Sequence, residues 1–215
     1  MASGALDVFC GAKVVPTVEA ALAGTIAAFA LTARPREIGP AVLSPREAAR
    51  VGFELASQGP VAFLFGNEES GLRNEDILRC QRIVEIPANP IYSSLNVAAA
   101  VQVIAYELRT AGEAAGVTSG RPRAPIPDKF AAATFEEIEG LYGHFERALG
   151  NSGFLDRSNP RKLMERLRRL CGRAVLEREE VNILRGILGN LEAHSAKSGL
   201  PVRGQPAQSL ISKSD

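Results

Sequence analysis

Three polar side chains, Ser93, Ser94 and Asn96, stand between a proline-containing loop and an apolar segment. Pro87 and Pro90 fix their own φ angles and restrict the residues before them, so this loop has a defined shape. Serine and asparagine cap helices, and the first turn of a helix also presents unpaired backbone N–H groups. The junction predicts a site for a small polar ligand. An ordinary capped helix after a turn explains the same residues equally well.

A second polar loop, residues 66–72, follows an apolar run of strand length. Its two glycines, Gly66 and Gly71, allow the backbone to approach a ligand closely. The loop lacks the lysine of a GxxxxGK[ST] phosphate loop, which argues against a nucleoside triphosphate. Glu68 and Glu69 are acids of this loop. Their residue type favours structural roles over catalytic ones by about two to one.

The sequence contains few residues that could support metal or thiol chemistry. Three cysteines, Cys10, Cys80 and Cys171, are odd in number and far apart, so they predict neither a disulfide framework nor a metal site. Neither His144 nor His194 has a Cys, Asp or Glu nearby at ligand spacing. We therefore predict no metal.

The sequence contains no signal peptide and no apolar run of the roughly 18 to 20 residues that span a bilayer. These features predict a cytoplasmic protein that does not enter a membrane.

The elements that must position the two loops alternate between strand and helix. The predicted strands cover residues 26–32, 61–65 and 81–86, with a possible strand end at 13–15. Helices are predicted over 17–22, 44–56, 74–79 and 97–108, the last with Val97, Val101, Ile104, Ala105 and Leu108 in register. This alternation predicts an α/β fold with a mainly parallel sheet, whose ligands bind beyond the carboxyl ends of the strands.

The composition divides the chain into four parts. We predict a domain over residues 1–112, a Gly/Ala/Pro-rich linker over 113–133, a small helical extension over 134–193 and a disordered tail over 194–215. The extension contains three amphipathic helices that form a small bundle or a dimer arm. The apolar residues predicted to face inward in its last two helices are Leu163, Leu167, Leu170, Ile183, Leu184, Ile187, Leu188 and Leu191.

A basic cluster lies in the extension, although the net charge of the whole chain is only +1. Within residues 157–173, Glu165 is the only acid and all other charged residues are basic. We predict that these basic side chains point outward. A cluster of this density suits phosphate contacts, and a solvated helix face is the alternative. Its members are Arg157, Arg161, Lys162, Arg166, Arg168, Arg169 and Arg173.

Residues 65–72 and 86–96 closely resemble the second and third motifs of the SPOUT family of RNA methyltransferases, in its SpoU type. Residues 32–34, 142–144 and 182–188 resemble the branch that methylates a ribose 2′-hydroxyl of tRNA, at the first nucleotide of the anticodon loop, a cytidine or uridine. The resemblance covers the chain up to about Ala193.

The resemblance implies a parallel sheet with a C-terminal trefoil knot, S-adenosylmethionine as cofactor, tRNA as partner and a homodimer. It places the catalytic, orienting role on Ser94 and Asn96. It assigns RNA binding to the extension, where we select Arg161, Lys162, Arg166, Arg169 and Arg173. The residues in cofactor-binding positions are Leu31, Thr32, Ala33, Gly66, Ile86, Ser93, Ser94 and Leu95.

The sequence differs from the family at its N-terminal end. The family begins with a strand and helix that bear an Asn and an Arg, and the Arg activates the 2′-hydroxyl. Residues 1–5 resemble an internal family stretch, so we expect an N-terminally truncated domain. Arg34 and Arg36 match a different motif and do not fill the missing role. A non-catalytic RNA-binding or cofactor-binding relic, and a nucleotide-binding α/β protein unrelated to RNA, are the alternative functions.

Overall fold

The chain forms a four-stranded sheet with helices on both faces. The computed structural model describes residues 6–34, 39–89, 91, 95–116 and 130–198. All strand pairs are parallel, in the spatial order β2, β4, β1, β3, which confirms the predicted α/β architecture. The strands are β1 (Ala27–Leu31), β2 (Ala41–Leu43), β3 (Val61–Leu64) and β4 (Arg82–Val84). β2 was not predicted, since three half-exposed residues give too short an apolar pattern.

Eight helices are described, and four of them start where a side chain caps the first turn. Thr17 accepts from the Ala20 N–H at 3.2 Å, and Ser44 and Thr134 form capping boxes. The predicted strand end at 13–15 is wrong, because these residues form no strand. The helices are α1 (Leu6–Cys10), α2 (Val18–Leu22), α3 (Pro45–Leu55), α4 (Asn74–Leu78), α5 (Val97–Ala114), α6 (Phe135–Asn151), α7 (Leu163–Ala174) and α8 (Arg178–Ser198).

One face of the sheet packs against α3 and α5. Phe29 stacks on Phe63 with ring centroids 4.7 Å apart, and Ile104 of α5 is 2% exposed in the same cluster. The helix predicted over residues 97–108 is confirmed and continues to Ala114, although Val101 and Ala105 of its apolar pattern are exposed. α5 is apolar on more than one side, and α3 covers only the side that carries Ile104.

The helical extension packs onto the opposite face of the same sheet. Phe135, the first residue of α6, is buried among Leu22, Ala28 and Ile77. Its backbone N–H donates to the Thr25 carbonyl at 2.8 Å. The extension therefore contributes a side chain to the core of the sheet and is docked in place by backbone hydrogen bonds.

Arg82, at the start of β4, forms a second link between sheet and extension. Its guanidinium donates to the carbonyl of Gly172 and, at 3.2 Å, to the carbonyl of Arg173. These carbonyls belong to the last turn of α7, which has no intrahelical partners for them. Burial lowers the pKa of Arg82 from its ordinary value. The side chain thus caps α7 and fixes the end of this helix against the start of β4.

Two predictions for the extension are wrong. Leu170, Ile183, Ile187 and Leu191 are 52–58% exposed, because only one side of α7 and α8 packs against α6. Arg168 does not point outward. Its Nη2 donates to Glu139 Oε2 at 2.8 Å, and its guanidinium lies 4.3 Å from the centre of the Tyr142 ring.

The boundaries of the extension also differ from the prediction. α8 continues to Ser198, past the predicted start of the tail at residue 194. Most of the predicted linker, residues 117–129, and residues 199–215 of the predicted tail lie outside the described residues. So do Pro90 and residues 92–94 of the loop in which the knot was predicted. The knot and the division into domains stay predictions.

Replacing Phe135 with alanine tests the docking of the extension. A cavity in this core is expected to lower the free energy of unfolding by about 3–5 kcal/mol. Phe154→Ala is the matched control, since Phe154 is 71% exposed and its loss is expected to change stability by less than about 0.5 kcal/mol. Urea unfolding measures both. Equal midpoints for the two variants would show that Phe135 does not anchor the extension.

Candidate active site

A cavity of about 340 Å³ lies beyond the carboxyl ends of β1, β3 and β4. Parallel strands end at the same edge of a sheet, so the segments that follow them converge there. The volume falls in the range of small-molecule sites. The lining comprises residues 31–34, residues 65–72, Val84, Ile86, Leu95, Val97 and Ala100.

The first wall is the turn that follows β1. Thr32 extends the strand pairing, because its N–H donates to the Val84 carbonyl at 3.2 Å. Its hydroxyl then accepts from the Arg34 N–H at 3.2 Å. This short side-chain turn directs the chain away from the sheet and leaves Leu31, Thr32 and Ala33 along the cavity.

The second wall is the loop of residues 66–72, which folds back on itself. Asn67 Oδ1 accepts from the N–H and the hydroxyl of Ser70, at 2.7 and 2.9 Å. Gly71 has φ +68°, a conformation that favours glycine. A Cβ on Gly66 would lie 2.2 Å from the carbonyl carbon of Gly71. Only glycine at position 66 allows this close backbone crossing.

The two polar loops are joined directly by Asn96 and Glu68. The Nδ2 of Asn96 donates to Glu68 Oε1 at 2.8 Å, while its Oδ1 accepts from the Ala98 N–H at 2.9 Å. The capping role of Asn96 is confirmed, and the same amide holds the loop of Glu68 against the start of α5. This contact was not predicted, because the two residues are 28 positions apart and no local pattern links them.

Six of the eight predicted cofactor positions line the cavity: Leu31, Thr32, Ala33, Gly66, Ile86 and Leu95. Ser93 and Ser94 lie outside the described residues. Asn96 lies at the edge, between the lining residues Leu95 and Val97. Eleven further lining residues were not predicted as cofactor positions. Five of them are apolar, namely Phe65, Leu72, Val84, Val97 and Ala100, and the others are Arg34 and residues 67–71 of the second polar loop.

The cavity offers few titratable groups. Arg34, Glu68 and Glu69 are the charged residues of its lining. In the described part of the chain, no three His, Cys, Asp or Glu side chains are grouped to hold a metal ion. Cys80 lies in the core, where burial raises the pKa of its thiol to about 12, so it does not act as a nucleophile at neutral pH. The site suits binding and orientation of reactants.

The predicted RNA-binding residues lie together at α7 and are all exposed. Arg161 and Lys162, directly before the helix, adopt left-handed backbone conformations with φ 46° and 56°. Arg166, Arg169 and Arg173 follow on the helix at intervals of three and four residues, so they form one basic stripe.

Among the helices that the structure describes, none combines the length and apolar composition needed to cross a membrane.

Two family models match the chain. The SpoU rRNA methylase family matches residues 1–106, and the C-terminal domain of the tRNA methyltransferase TrmJ matches residues 136–200. A tRNA (cytidine/uridine/adenosine-2′-O-)-methyltransferase TrmJ of Pseudomonas aeruginosa is 46% identical over 196 residues, which are 87% of this chain and 74% of that protein. The chain belongs to the TrmJ family of RNA methyltransferases.

Other members of the TrmJ family agree in sequence and in fold. A tRNA (cytidine/uridine-2′-O-)-methyltransferase TrmJ of Sodalis glossinidius is 40% identical over 201 residues, covering 94% of this chain and 77% of that protein. The crystal structure of TrmJ from Z. mobilis ZM4 is similar, with a TM-score of 0.71 at 33% identity. That match covers 89% of this chain and 78% of the other. The likeness includes the α/β fold found here.

Replacing Gly66 with alanine tests the close crossing of the loop. The added methyl group meets backbone atoms that cannot rotate away, so we expect a loss of about 1–3 kcal/mol in unfolding free energy and faster hydrogen exchange at Gly71. Gly189→Ala on α8 is the control. A Cβ there meets nothing within 4 Å, and alanine favours a helix by roughly 0.5–1 kcal/mol. Unchanged exchange at Gly71 in the Gly66 variant would contradict this geometry.

Proposed function

We propose that this chain transfers a methyl group from S-adenosylmethionine to a ribose 2′-hydroxyl of tRNA. The observation that carries the proposal is the cavity at the strand ends, formed by the same two loops whose residues match the family motifs. We further propose the first nucleotide of the anticodon loop, a cytidine or uridine, as the target. Action on tRNA places the protein in the cytoplasm.

The lining of the cavity fits S-adenosylmethionine. An adenine ring needs an apolar slot with backbone hydrogen-bond partners, and Leu31, Ile86 and Leu95 provide apolar surface. Gly66 also lines the cavity and adds backbone groups to its wall. When bound, the cofactor supplies a methyl group on a positively charged sulfur. Transfer of this methyl group to the ribose oxygen would break its bond to sulfur, leave neutral S-adenosylhomocysteine and release the hydroxyl proton to water.

The residues of the chain act mainly by positioning. A ribose hydroxyl is a weak nucleophile, so its alignment with the methyl carbon provides much of the acceleration. We assign this alignment to Ser94 and Asn96, neither of which is a base at neutral pH. Asn96 is rigid in this role, since both ends of its amide are hydrogen-bonded. It keeps the loop of Glu68 and the start of α5 at a fixed separation.

We propose that tRNA lies along the basic stripe of α7. Arginines there bind backbone phosphates, because a planar guanidinium matches the oxygens of a phosphate. Arg168 is excluded from this role, as Glu139 already pairs with it.

Titration of S-adenosylmethionine, followed by a transfer assay with unmodified tRNA, tests the proposal. Asn96→Ala frees the Glu68 loop, and we expect a transfer rate lower by about tenfold to a hundredfold. Asn190→Ala is the control, because Asn190 is an exposed residue of α8 whose side-chain amide donates to the Gly186 carbonyl of the same helix. Cofactor binding without any transfer by the unmodified chain would favour the non-catalytic relic. Absence of both cofactor and tRNA binding would favour an unrelated nucleotide-binding protein.

We propose that two copies associate through the exposed face of α5. Val97 and Ala100 of this helix line the cavity, and the neighbouring Val101 and Tyr106 are 43% and 63% exposed. A second copy on this face would bury the apolar surface and cover the edge of the site.

Tyr106→Glu tests this association. A charge at the centre of an apolar interface is expected to raise the dissociation constant of the dimer at least about tenfold. Thr110→Glu, one turn further on the same exposed side, is the control for added charge at the periphery. Analytical ultracentrifugation measures both. A monomeric unmodified chain, or an unaffected dimer in the Tyr106 variant, would contradict the proposal.

A further inference from the structure

A second, smaller cavity of about 130 Å³ adjoins the first. Thr32 and Arg34 line both, so the two cavities meet at the turn after β1. The far wall of the smaller one belongs to the extension, where Arg169 of α7 faces the edge of the sheet. We call it the bridging groove. It joins the proposed methyl-transfer site to the basic stripe of α7.

Arg169 reaches this groove because α7 is held at its end. The guanidinium of Arg82 donates to the carbonyls of Gly172 and Arg173, one turn after Arg169. Arg82 itself lies on β4, next to Ile83, and Ile83 lines the groove. The contact of Arg82 with the end of α7 docks the extension. It therefore also sets the distance between Arg169 and the strand ends.

The groove has the chemistry of a ribose-phosphate site. Arg34 and Arg169 line it from two sides, and guanidinium groups bind phosphate by paired, charge-assisted hydrogen bonds. Glu85 is the one carboxylate of the lining, and a ribose 2′-hydroxyl can donate to it. Val42 and Ile83 provide an apolar side for the sugar.

We propose that the bridging groove holds the ribose-phosphate unit next to the nucleotide that is methylated, with Arg169 as the positioning residue. The inference rests on the proposed function and adds a role for one arginine of the basic stripe. The other arginines of the stripe hold tRNA at a distance from the reaction. Arg169 holds the strand beside the reacting hydroxyl, so its loss affects the rate of transfer as well as affinity.

Kinetics of the full chain with saturating S-adenosylmethionine and an unmodified tRNA separate these roles. Arg169→Ala is expected to lower kcat about tenfold at saturating tRNA and to reduce the salt dependence of tRNA binding by about one phosphate contact. Arg169→Lys keeps the charge but not the paired hydrogen bonds, so it restores the salt dependence and only part of kcat. Binding of S-adenosylmethionine stays unchanged in both.

Two comparison variants complete the experiment. Arg166→Ala removes an exposed arginine one turn earlier on α7, outside the groove, and is expected to raise KM for tRNA with kcat retained. Arg50→Ala removes an arginine of α3 that pairs with Glu54, and neither constant is expected to change. If Arg169→Ala raises KM alone, as expected for Arg166→Ala, or behaves like Arg50→Ala, the positioning role is overturned.

A binding measurement distinguishes failure of this inference from failure of the proposed function. If the unmodified chain binds tRNA but transfers no methyl group, the proposed function fails. An anticodon stem-loop with one 2′-deoxyribose beside the target nucleotide then still tests the groove. We expect this change to weaken binding to the unmodified chain several-fold and to leave binding to Glu85→Ala unaffected. Equal losses for both proteins, or none for either, would overturn the inference.

Discussion

The parallel pairing of β4 with β1 and β2 is the constraint on which both the site and the extension depend. β4 is only three residues long, and Ile83 at its centre pairs with Ala30 on one side and Val42 on the other. Its last residue, Val84, lines the cavity and accepts the N–H of Thr32. Its first residue, Arg82, caps α7. A shift of this strand would therefore displace the cavity wall and the docked helix together.

The extension is held to the sheet by contacts of different physical kinds. Phe135 contributes apolar burial, which acts without directional preference. Arg82 and the Phe135 N–H contribute hydrogen bonds to backbone carbonyls, which fix the orientation. Glu136 accepts a hydrogen bond from the Gly24 N–H at 2.9 Å, and hydrogen bonds from backbone N–H groups lower the pKa of this carboxyl. The apolar burial of Phe135 and the directional hydrogen bonds together place the basic stripe beside the site.

Local signals in the sequence were sufficient for most elements. Ser44 and Thr134 begin helices because a capping box involves residues only three positions apart. The motif residues around Gly66 and Ile86 lie at one cavity beyond the strand ends, where the apolar patterns of the preceding strands predicted a ligand site. The features that were not predicted depend on residues that are distant from one another in the chain. Examples are the Asn96 to Glu68 contact, the pairing of Arg168 with Glu139, and the exposure of Leu170.

The most direct test of the account is a crystal structure of the full chain with S-adenosylhomocysteine, the product that remains after methyl transfer. We predict the adenine between Leu31, Ile86 and Leu95, with the ligand against the backbone of Gly66. The extension is predicted to keep its contact through Arg82. A ligand bound away from the strand ends, or no binding at millimolar concentration, would contradict the assignment of this cavity.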